Sequence, residues 1–310
     1  MIAGFKVEHA TRASRIGVAA FGVAFILLAG YAGLVSVGQQ AYVGLGGYVL
    51  FASTILAGVH PLLAVPLAGV LGAVVALPVA GLMFRLRGHY FAIGTWVVAE
   101  VFRLIASQIS ALGGGSGISL PAAIVTEMAP TRQLREFLMY WVALALVVLV
   151  LAAIVMLLRS RYGLALTAIR DNELAARSNG VDVTRTKLVV YVLTAFGTAM
   201  VGALIFLQKL RSSPDTAISV NDWTAFDSYN TVIGGIGRVE GPIIGTIIFF
   251  LLRQTLADLG SLYLLMLGAV AIAIMLLAPK GIWGFLAERF GWQLLPLERR
   301  LRFAADARTK

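Results

Sequence analysis

Ionisable side chains are scarce in this chain, so their positions carry information. Glu100 and Arg103 lie three residues apart inside the apolar run HYFAIGTWVVAEVFRL. A charge in such a run is costly, and an opposite charge on the same helical face offsets part of that cost. The pair reads first as a structural ion pair near a membrane surface, and second as a gating or solute-facing group. His9, His60 and His89 are dispersed without metal-ligand spacing, and there is no cysteine. No nucleophile–base pair or paired acids stand out. The glycine-rich string Gly234-Gly-Ile-Gly-Arg-Val-Glu-Gly241 suggests a phosphate loop, but no Gly-Lys-Ser/Thr follows and Gly-Lys occurs nowhere. The chain is therefore not expected to hydrolyse ATP or to need a cofactor. The chemistry left to it is recognition and mechanical coupling.

The strongest candidate for coupling is Arg159 to Lys187, RSRYGLALTAIRDNELAARSNGVDVTRTK, the longest clearly polar segment between apolar runs. It carries six basic residues (Arg159, Arg161, Arg170, Arg177, Arg185, Lys187) against three acidic ones (Asp171, Glu173, Asp182). A short basic loop between two membrane spans reads as cytoplasmic. Leu164, Ala168, Asp171 and Ala175 recur at helical spacing, and Leu166, Ile169 and Leu174 do so in part. Good helix formers fill the interior, and Gly180 stands where a left-handed cap would end a helix. The pattern predicts a helix over 163–179 lying beneath the membrane. It is either a solvated amphipathic connector or a docking helix for a cytoplasmic partner.

Within it, Glu173-Leu-Ala-Ala-Arg-Ser-Asn-Gly180 resembles the EAA loop of ABC-transporter permeases, and AIRDNELAARSNGVDVTRTK resembles the corresponding loop of LivM-type permeases almost residue for residue. The resemblance covers roughly residues 20–290. It includes GYAGLVSVGQQAYVGLGGYV, where Leu34 replaces a usual Gln and Gln39 a usual His. It also includes RLRGHYFAIGTWVVAEVFRL and the string Asn230 to Gly245. It implies that Arg170, Asp171, Asn172, Glu173, Ala175, Ala176 and Gly180 couple the chain to an ATPase. It also implies two ABC ATPase subunits, a second, LivH-like permease chain and a periplasmic solute-binding protein as partners. The place would be a bacterial inner membrane, and the cargo branched-chain or other hydrophobic amino acids. Related importers take urea, short amides or small carboxylates. The rival class is a stand-alone secondary transporter, which would need membrane-embedded carboxylates; Glu100 is the clearest one present.

The elements that must position these residues follow from composition. Of 310 residues, 59% are apolar and 13% charged, and the mean hydropathy is +0.89. Soluble domains carry about 25% charged residues. An all-α, polytopic membrane protein is expected, as one permease domain over 1–310. The net charge of +10 falls between and after apolar runs, which indicates positive-inside topology and contact with anionic lipid rather than nucleic acid. Apolar segments fall at about 16–35, 41–59, 61–83, 89–108, 137–158, 188–208, 229–252 and 261–278. The first is long for a signal peptide and more spans follow, so a retained span is expected. Residues 109–136 show no positive excess and read as an external loop, with Gly113 to Gly117 as a flexible linker. Residues 279–310 read as a basic cytoplasmic tail.

The charge map leaves a parity problem. Three apolar segments lie between the inside positions 15 and 85, and three between 187 and 280, where an even number is required. The middle piece in each half is glycine-broken, so it either re-enters or hides a short extra crossing, and two related halves are expected. Such interrupted segments mark transport pathways. The pathway set is Gln39, Gln40, Gly44, Gly46, Gly47 and Glu100 in the first half. In the second it is Asn230, Gly234, Gly235, Gly237, Gly241 and Pro242.

Overall fold

The computed structural model describes residues 33–34, 36–86, 88–220, 223, 233–235, 240–256, 262–278 and 281–290. The first apolar segment, apart from Gly33 and Leu34, lies outside them, as do Asn230, Gly237 and the tail beyond Phe290. The helices are α1 (Gln40–Leu56), α2 (Pro61–Met83), α3 (His89–Gln108), α4 (Ala122–Met128), α5 (Arg132–Arg159), α6 (Arg161–Asp171) and α7 (Glu173–Ser178). They continue as α8 (Val183–Lys209), α9 (Pro214–Ala217), α10 (Glu240–Leu256), α11 (Leu262–Leu277) and α12 (Gly281–Phe290). Four of them, α2, α3, α5 and α8, and the stretch Gly268–Phe285 are long and apolar enough to cross a membrane. The protein is thus helical and polytopic, as its composition requires.

The bundle is built around α8. Buried residues fill 72% of its apolar window, against 33% for α2 and α5 and 22% for α3. α8 packs against both α1 and α2. Small residues make this possible. A Cβ on Gly46 would overlap the Ala199 carbonyl, and one on Gly202 would overlap the Val43 carbonyl. Each helix thus offers a glycine to the other's backbone, the usual route to close approach inside lipid. At one end the Tyr42 hydroxyl donates to that of Tyr191 at 3.0 Å, and the Phe84 ring meets Tyr191 edge-on.

The 84–89 turn and the 173–187 segment line one cavity, so they share an end of the bundle. The opposite end holds the 109–131 and 210–219 connections. There β1 (Ile118–Ser119) pairs antiparallel with β2 (Arg211–Ser212). The glycine run beside β1 is a tight turn, not the flexible linker expected. Gly113 and Gly117 adopt φ of 82° and 79°, and side chains there would overlap the Gly117 and Ser212 carbonyls respectively. The carboxy-terminal region also differs from expectation. Helix α12 occupies what reads as the start of a tail, its Trp283 is buried, and Gly281 packs on the Gly235 backbone.

Candidate functional site

The loop after α5 is a folded unit. The Ser160 hydroxyl accepts from Tyr162 N at 3.2 Å and starts α6. Asn172 then turns extended, with φ −160° and ψ 108°, and its Oδ1 accepts from Ala175 N at 3.0 Å. One residue therefore ends α6 and caps α7. The single helix expected over 163–179 is in fact two, because a short amide side chain competes with the helix for backbone donors. α7 ends in a Schellman motif: Gly180 N donates to Arg177 O at 3.0 Å and Val181 N to Ala176 O at 3.1 Å, with Gly180 at φ 81°. Asp182 follows at once and caps α8 through Arg185 N, at 2.9 Å. Ile169, Ala176 and Val183 close a small apolar knot under the three helices. The buried face of α6 is thus Leu166 and Ile169, while Leu164 points out.

The break sets which groups face outward. Arg170, Asp171, Leu174, Ala175 and Gly180 are exposed, and Leu174 is 76% exposed. Arg170 lies 3.8 Å from Asp171. Ala176 is buried. Glu173 turns back toward the bundle: its Oε2 accepts from Lys187 Nζ at 2.7 Å and its Oε1 from Arg177 Nη2 at 2.9 Å. Sequence reasoning counts Lys187 only as a positive charge; the partner fourteen residues away is a tertiary fact with no sequence signal. The glutamate, Arg177, Thr184 and Lys187 form one wall of a cavity of about 490 Å³; Phe84, Leu86, His89 and Phe91 form another.

The hydrogen bond from Lys187, above all, holds the Glu173 carboxyl below the usual glutamate range. A folded-state pKa below the unfolded one gives stability that is complete at neutral pH and lost as pH falls through the folded value. A nitroxide placed on α7 is therefore expected to stay immobile at pH 7 and to loosen only below the ordinary glutamate range. In Glu173→Gln that acid transition disappears. An unchanged transition in the variant would assign it to another group.

The described pathway candidates fall into four groups. Gly44, Gly46 and Gly47 lie within α1, which runs unbroken through them; the described non-helical stretch precedes them, at 33–38. All three face close neighbours: Gly44 meets Ile218, Gly46 meets Ala199 and Gly47 meets Phe206. Gln39 and Gln40 start that helix and are 1% and 0% exposed. Neither amide atom of Gln39 has a hydrogen-bond partner among the described residues. In the other half the chain is interrupted at Gly235, with φ 117°, and Pro242 sits in the first turn of α10, where proline is tolerated. Gly234, Gly235 and Gly241 press backbone on backbone. Glu100 does pair with Arg103, whose Nε lies 2.8 Å from Oε1. The same guanidinium reaches Asp215 at 2.7 Å, tying α3 to α9.

Residues 7–278 match the family described as branched-chain amino acid transport system / permease component, and the chain belongs to that family. It is 28% identical over 84% of its length to the high-affinity branched-chain amino acid transport system permease protein LivM of Salmonella typhimurium, of which it spans 66%. It is 30% identical over 85% of its length to the ribose import permease protein RbsC of Bacillus subtilis, covering 81% of that protein. It is 25% identical over 79% of its length to the probable branched-chain amino acid transport permease protein LivH of Methanocaldococcus jannaschii, covering 82%. No solved structure matches the chain. The protein is a multi-pass membrane permease component of the LivM type.

Proposed function

We propose that the chain is the membrane permease subunit of an ATP-driven importer in a bacterial inner membrane, working with two ABC ATPase subunits, a second LivH-like permease chain and a periplasmic solute-binding protein. The observation that carries this reading is the folded unit of α6 and α7. It projects Leu174 and Ala175 outward while Glu173 ties it back to the central helix. A slack connector needs neither a cap at Asn172 nor a Schellman stop at Gly180. An exposed leucine on an otherwise polar loop is what a partner's groove would take up.

The cargo is a small solute, and branched-chain or other hydrophobic amino acids fit the family's description best. The likeness to a ribose import permease supports a second reading, the same machinery with another small polar cargo. Gln39 and Gln40 at the start of α1, with Gly234, Gly235 and Gly241, are proposed to line the pathway. The Gln39 amide, which has no hydrogen-bond partner among the described residues, costs about 1–3 kcal/mol if left so in the interior. Pairing with solute in another state of the transport cycle would offset that cost.

The test is co-purification with cytoplasmic ATPase subunits. The wild type is expected to retain ATPase. A variant with Glu173, Ala175 and Gly180 replaced by bulky or charge-reversed residues is expected to lose it while still inserting in the membrane. Equal retention by both would reduce the loop to a connector, and retention by neither would promote the secondary-transporter reading.

A further inference from the structure

We infer that Lys187 is a positioning residue that pins Glu173 and so makes α7 and the central helix α8 move as one body; the inference rests on the permease reading above. In the sequence, Glu173 reads as a contact for the ATPase. In the structure both of its oxygens are taken up within the chain, by Lys187 and Arg177. The Arg177 bond lies within α7 and only orients the carboxylate. The Lys187 bond crosses from α7 to α8.

Such a link has mechanical work to do. α7 has six residues, too few to hold its own geometry. The chain between α7 and α8 turns at Gly180, whose φ of 81° marks a sharp reversal. The apolar knot of Ala176 and Val183 sits beside that turn, and the Lys187 bond is the polar tether that keeps a push on α7 from being absorbed by bending there. The Lys187 side chain is 17% exposed and that of Glu173 40%, so the pair is anchored on its less exposed lysine end and partly screened at the carboxylate. α8 in turn packs on α1 and α2, so a shift of α8 registers as sliding against them. Transmission rather than docking is therefore what the glutamate supplies.

The chain has no cysteine, so a spin-label pair at Leu193→Cys on α8 and Val74→Cys on α2 reports their separation uniquely. The labelled permease is assembled with its ATPase subunits in nanodiscs and measured with and without ATP. With Lys187 intact, ATP is expected to change the separation by about 1–2 Å. In Lys187→Met the change is expected to vanish while ATPase retention and hydrolysis persist. Lys187→Arg is expected to restore it, and Glu173→Gln, which cuts the link from the other side, to abolish it again. A wild-type displacement in Lys187→Met overturns the inference. So does no displacement in the wild type, no rescue by Lys187→Arg, or loss of ATPase or of folding in both Lys187→Met and Glu173→Gln, which would make the pair a folding contact. Failure of the wild type to retain ATPase overturns the permease reading itself, and shows before any substitution is made.

Discussion

Gly202→Val is expected to leave almost no folded protein in the membrane. The position lies in the interior of α8, where even the first carbon of a side chain would overlap the Val43 carbonyl of α1. The obstacle is backbone, not the end of a flexible side chain, so relief requires the two helices to separate. Overpacking costs about 1–3 kcal/mol where side chains can yield, and more is expected here. Against a total stability of about 5–15 kcal/mol, that is a large share. Gly46→Val should act alike from the other helix, through the Ala199 carbonyl. Gly81→Ala is the matched control: it lies in α2 with open space where its side chain would go. There alanine should be neutral or favourable by about 0.5–1 kcal/mol. The readout is the monodisperse fraction recovered in mild detergent and its melting temperature. A Gly202→Val protein that melts like wild type would mean that α1 and α8 are not in this contact.

The second large effect is expected at Leu174. It is 76% exposed on a helix whose neighbours Ala176 and Glu173 turn inward. Burying a leucine is worth roughly 1.5–3 kcal/mol, and a central interface residue can carry that much. Leu174→Asp is therefore expected to lower ATPase retention at least about tenfold, which corresponds to about 1.4 kcal/mol. Stability should hardly change, since the wild-type side chain touches little of its own chain. Retention unaltered by the aspartate would remove Leu174 from the docking surface and leave Arg170, Asp171 and Ala175 to form it.

The spans and the loop were legible because their signals are local. Segments 61–83 and 89–108 coincide with α2 and α3 because proline, glycine and charge punctuate both ends. Gly180 is legible as a left-handed stop, since few other residues adopt that backbone cheaply. Asn172 was not: in AIRDNELAAR an asparagine among good helix formers looks tolerable, and only the geometry shows its side chain capping a second helix. The glycines of α1 left two readings open. Gly44, Gly46 and Gly47 can be read either as close-packing helix surface or as a break; they are smooth helix surface, Gly46 and Gly47 facing α8 and Gly44 facing Ile218. Whether a glycine bends a helix or admits a neighbour depends on a partner about 150 residues away, and no local pattern encodes that. The inward turn of Glu173 and the reach of Arg103 to Asp215 are tertiary in the same way. Helix α12 was hidden by the charges that follow it, which drew residues 281–290 into a tail.

The order in which the chain is made puts its central helix late. Tyr42 and Tyr191, which meet across α1 and α8, are separated by 149 positions. At ribosomal speeds of roughly 5–20 residues per second, α1 waits about 7–30 s for α8 to arrive. During that interval Gly46 and Gly47 of α1 are without the α8 surface that covers them in the finished bundle. Biogenesis therefore favours some temporary cover for α1, whether an insertase or a neighbouring helix, that α8 then displaces.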